Sequence, residues 1–120
     1  MQWTYVAYFF GGVFLVNAVP HFTNGVSGRR FPTPFAVPLG KGQSSPTVNV
    51  LWGTFNLVVG SLLVGRVGEF HMNRTSEILA VGVGGLLMAV MLARLFERIC
   101  GRQLGGEAAD RGRSAHDAHE

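Results

Sequence analysis

Trp3 to Phe22 reads WTYVAYFFGGVFLVNAVPHF, twenty residues without a formal charge. As a helix rising about 1.5 Å per residue, it is long enough to cross a hydrocarbon core of roughly 30 Å. Nine of these residues are Val, Leu or Phe. Each favours mid-membrane by about 0.3 to 0.6 kcal/mol, enough to outweigh the embedded Asn17. The stretch therefore predicts a transmembrane helix. A cleavable leader ending near Val16-Asn17-Ala18 is the competing reading, and the lack of a positively charged segment ahead of it argues against cleavage.

Two further stretches repeat the pattern. Thr47 to Gly65 holds ten Val, Leu or Phe residues and no charge before Arg66. Ile78 to Ala93 gives sixteen uncharged residues, and Arg94 can snorkel so that Leu95 and Phe96 extend the span. Charged residues make up 14% of the 120-residue chain and hydrophobic ones 48%; because the charges fall between and after the apolar stretches, little remains for a water-soluble core. The expected fold is an all-α integral membrane protein with three transmembrane helices at about 3–22, 47–66 and 77–98. Residues 1–100 form the membrane domain and 101–120 a disordered polar tail.

Eight of the ten Lys and Arg residues lie in the first loop (Arg29, Arg30, Lys41) or from the end of the third span through the tail (Arg94, Arg98, Arg102, Arg111, Arg113), and only Arg66 and Arg74 lie elsewhere. The positive-inside rule then puts the N-terminus outside and the long loop and C-terminus in the cytoplasm. A net charge of +3 without basic residues interleaved with aromatics gives no reason to expect a nucleic acid partner. The lone Cys100 excludes an internal disulfide and a cysteine-only metal site.

On the second span, Asn49, Gly53, Asn56 and Gly60 fall within about 60° of one another at 100° per residue, one stripe of small and carboxamide side chains. Val81, Gly85, Ala89 and Ala93 recur at four-residue steps on the third. The expected helix-packing residues are Gly53, Asn56, Gly60, Gly85 and Ala89, serving either the intramolecular bundle or a second copy. On the first span Asn17 and His21 share a side. The glycines near 82–85 are no dinucleotide loop, since they lie inside an apolar helix rather than after a strand.

The connection from Thr23 to Pro46 spends twenty-four residues where about two to eight would join neighbouring helices. Its prolines forbid regular helix, so a semi-rigid strap is expected. Phe31, Phe35, Val37 and Leu39 fit either a headgroup boundary, with Arg29 and Arg30 on lipid phosphates, or a strap packed over the helix ends. Gly40 to Ser45 lacks the spacing and strand context of a phosphate loop, although Lys41 remains available for anion contact.

Pro20-His21-Phe22, Gly28 to Ala36 (GRRFPTPFA), Ser44-Ser45-Pro46 and Asn49 to Gly53 with Asn56 together resemble a pattern in a family of small bacterial integral membrane proteins. The resemblance covers roughly the first half of the chain. It implies a bacterial inner-membrane location and brings no catalytic residues with it.

His21 ends the first span near Asn17, Asn24, Arg29 and Arg30, a candidate site for a ligand or headgroup. His71 belongs to the opposite end, so the two histidines cannot share a haem. No nucleophile triad or dense ligand cluster appears, and no catalytic residue, metal or cofactor is expected. The first functional reading is a non-enzymatic subunit that self-associates or joins a larger membrane complex. The alternatives are an oligomeric channel or transporter lined by Asn17, Asn49 and Asn56, and a subunit that binds lipid, quinone or haem.

Overall fold

A computed structural model of the chain describes residues 2–36 and 42–119. Val37, Leu39 and Lys41 lie outside the described residues, as do the side chains of Cys100 and Arg102. The described residues form three helices, α1 (Gln2–Val26), α2 (Pro46–Gly65) and α3 (Thr75–Asp117). All three contain segments long and apolar enough to cross a membrane: Trp3–Val26, Pro46–Gly65 and Thr75–Ile99. Phe10, Leu51, Phe55, Leu62, Leu86 and Leu87 are exposed on their outer surfaces, as expected where lipid rather than water is the solvent.

Each boundary has a local cause. α1 runs through Pro20 and stops four residues beyond the expected Phe22. There the Gly28 N–H bonds Gly25 O at 3.1 Å and the Arg29 N–H bonds Asn24 O at 2.9 Å. This is a Schellman ending, and Gly28 takes the left-handed conformation it requires, with φ of 74°. α2 starts at Pro46 with Ser45 as N-cap, its hydroxyl accepting from the Val48 N–H at 3.2 Å. α3 starts without a side-chain N-cap. Glu77 in its first turn reaches back to accept from the His71 N–H at 2.5 Å, with Arg74 Nη1 3.4 Å from its other oxygen. A carboxylate is favoured there by the positive end of the helix dipole.

α3 corrects the expectation of a disordered tail over 101–120, because the helix continues to Asp117. Residues 105–117 are exposed. An Arg111 Nε–Glu107 O bond at 3.4 Å lies along this stretch, and its Ala, Glu and Arg residues support the regular backbone ladder well.

α1 is the centre of the bundle. It packs along both α2 and α3, which scarcely touch each other. Small residues set these approaches. A Cβ added at Gly53 would lie 2.7 Å from the Phe22 backbone nitrogen, and one at Gly60 would lie 2.7 Å from Leu15 Cγ. Toward α3, a Cβ at Gly84 would collide with the Phe9 carbonyl and one at Gly12 with the Val81 carbonyl.

Asn49, Gly53, Asn56 and Gly60 are the buried residues of α2, all turned to α1. Their steps of four, three and four keep the stripe on one side of a helix with 3.6 residues per turn. The α3 steps are all of four and drift about 40° each. Gly85 is buried, but Ala89 and Ala93 are exposed, so Ala89 does not pack within one chain, and of its two expected roles only contact with a second copy is left to it. The contact face passes instead through Gly84, Leu92 and Ile99, all buried.

Replacing Gly84 by Ala should push α3 from α1 and lower stability by about 1 to 3 kcal/mol, as overpacking does. Gly82, with nothing within 4 Å of an added Cβ, is the control. Reversible unfolding of both alanine variants in detergent micelles should show the loss for Gly84→Ala alone.

Candidate functional site

The end of the bundle where α1 stops and α2 begins concentrates the polar chemistry. Asn49 and Asn56 are 0% and 1% exposed within apolar helices, so their hydrogen-bonding capacity must be met by protein. Asn56 Nδ2 donates to Trp52 O at 2.7 Å, which leaves Oδ1 to accept from Asn17 Nδ2 at 2.9 Å. Asn49 Nδ2 faces the carbonyls of Phe31, Ser44 and Ser45 at 2.9, 3.2 and 3.1 Å. Its Oδ1 lies 3.0 Å from His21 Nδ1. The carbonyls fix the carboxamide orientation, and Oδ1 in turn fixes His21 as the tautomer with its proton on Nδ1.

Asn49 thereby ties the strap to the helices. The strap closes on itself where Phe31 and Ser44 exchange backbone bonds of 3.2 and 3.0 Å. The buried Thr33 and Ser44 hydroxyls also bond each other. Phe31 is turned inward, its ring centroid 4.5 Å from Phe96 and 5.5 Å from His21. The headgroup position is therefore corrected for Phe31 in favour of packing over the helix ends. Phe35 remains 62% exposed and meets Trp52 edge-on at 5.1 Å.

Because α2 and α3 diverge, the strap roofs a cavity of about 390 Å³. α1 contributes Asn17 and His21, the strap Thr33 between two prolines, and α2 Trp52. The largest share comes from α3, where Met88, Leu92, Phe96 and Ile99 belong to an apolar wall. A concave apolar space with a few convergent polar groups is the usual form of a small-molecule site.

Of the candidate ligand residues, the structure brings only Asn17 and His21 to this cavity. Asn24 instead donates back to Pro20 O at 2.7 Å, and Arg29 and Arg30 are exposed. The α3 wall was absent from the sequence-based candidates. Its signal was available in the Met88, Leu92, Phe96 and Ile99 spacing, which reads equally as lipid-facing residues until α1 and the strap are placed. His71 lies at the far end, beside Glu77 and away from His21. Among the described residues no three His, Cys, Asp or Glu side chains gather into a metal-binding group. Comparisons with protein-family models, curated proteins and solved structures give no match for this chain.

Asn49→Ala would strand buried carbonyls of the strap, at about 1 to 3 kcal/mol for each unmet group. Trypsin should then cut after Arg29 or Arg30 about tenfold faster or more, since cleavage follows the opened population. Asn56→Ala, which breaks no strap bond, should leave that rate near wild type.

Proposed function

We propose that this chain is a non-enzymatic membrane protein of three spans that holds the apolar chain of a membrane amphiphile in the cavity beneath the strap. The observation that carries the reading is the combination of a concave apolar wall on α3 with a fixed polar edge on α1, at the end of the bundle. An amphiphile matches both, with its chain along Met88 and Leu92 and its head near His21. The asymmetry of Arg and Lys supports a cytoplasmic strap and an external N-terminus. The family resemblance supports a bacterial inner membrane as the location.

The neighbouring readings have less to draw on. Gly53 and Gly60 face α1 inside one chain, so self-association or entry into a larger complex would need a different surface from that stripe. A channel lined by Asn17, Asn49 and Asn56 would have to break the bonds that pair these residues with α1, α2 and the strap. Those side chains act here as internal fasteners.

A native mass spectrum of the protein released from nanodiscs should show a retained amphiphile. Met88→Trp, which fills the cavity from α3, should lose it at unchanged helix content. A wild-type spectrum without added mass, or equal retention by the variant, would count against the reading.

A further inference from the structure

The two carboxamides on α2 determine what kind of headgroup the cavity takes. Asn49 spends both its N–H groups on backbone carbonyls and Asn56 spends one on Trp52 O, and each presents its oxygen to α1. Asn17 donates one Nδ2 proton to Asn56, and His21 its Nδ1 proton to Asn49. Beside the one N–H that Asn17 keeps, two hydrogen-bond acceptors are left, the Asn17 carbonyl oxygen and the His21 Nε2 lone pair. Neither atom has a protein partner among the described residues, and neither is sealed from the cavity that both side chains line. They stand one helical turn apart on the same face of α1.

The Thr33 hydroxyl is committed, bonding Ser44 and accepting from the Phe35 N–H, while the buried Trp52 Nε1–H has no partner. Among the described residues no carboxylate lines the space to balance a cation, and Arg29 and Arg30 are not in its wall to balance an anion.

We infer that the cavity selects a neutral amphiphile whose head donates hydrogen bonds through hydroxyl groups, received by His21 Nε2 and Asn17 Oδ1. The inference rests on the reading of the cavity as an amphiphile site and adds the sign of the recognition. A membrane diacylglycerol, a long-chain alcohol and a quinol share this chemistry, whereas a fatty acid anion, an ester and a quinone do not.

The test compares three probes of equal chain length, cetyl alcohol, cetyl methyl ether and palmitate, for equilibrium binding to the full chain in detergent micelles. Cetyl alcohol should bind roughly threefold to tenfold more tightly than the ether, the worth of a net hydrogen bond. Asn17→Leu should abolish part of that preference while leaving the ether's affinity unchanged. Because Asn17→Leu also breaks the bond to Asn56, Asn56→Leu serves as a second variant; it breaks the same bond but keeps the Asn17 carboxamide, and should retain the preference.

Alcohol and ether bound alike, with both displaced by Met88→Trp, would overturn the hydroxyl rule and leave the amphiphile site standing. Palmitate bound most tightly would also overturn it, since a carboxylate has no proton to give His21 Nε2 or Asn17 Oδ1. Failure of all three probes to bind in a Met88-dependent manner would remove the site itself.

Discussion

A carboxamide buried among apolar helices has to find its partners inside the protein, and the bonds of Asn49 organise one end of this molecule. Its two N–H bonds are shared among three carbonyls of the strap and the α2 start, and its oxygen takes the His21 ring. In a low-dielectric setting each such bond is stronger than in water, and each one missing costs correspondingly more. One residue therefore fixes the strap over the helices, the entry of α2 and the tautomer of a histidine on α1. Asn56 repeats the arrangement a little under two turns further along.

The second constraint is the closeness of the backbones. Glycines on both sides of α1 let it approach α2 and α3 until a single added carbon would collide with backbone atoms. Dispersion and polar contacts, rather than expulsion of water, hold helices together in lipid, and in a bilayer this intimacy would do the work of a soluble core. α1 is close to both neighbours, which scarcely touch each other. α2 and α3 part, and the strap closes over the gap.

Much of this was legible in the sequence, for physical reasons that differ by residue. The three spans follow from length and the absence of charge. The α2 stripe follows because steps of four, three and four track a helix face, and the pairing of Asn17 with His21 follows from their one-turn separation. Ala89 lies off the intramolecular face because strict four-residue steps rotate away from it. Phe31 was ambiguous because an aromatic ring suits a headgroup boundary and a helix end alike, and only the register of its bond to Ser44 turns it inward. The cavity was not legible at all, since it is made by a distance between α2 and α3 that neither helix encodes alone. The helical course of 101–117 was hidden by the glycines at 101, 105, 106 and 112, which weaken helix without forbidding it.

The divergence of α2 and α3 also bears on the phase from which the cavity would fill. Its wall includes Met91 and Leu95, which are 53% and 46% exposed on the outer surface of α3, so in a bilayer the opening would face sideways into the acyl chains. An amphiphile of the kind proposed would then arrive by lateral diffusion in two dimensions, already oriented with its head at the interface, and would shed no hydration shell from its tail on entry. Occupancy would follow the mole fraction of that guest among the surrounding lipids, and diluting the vesicle suspension would not empty the site.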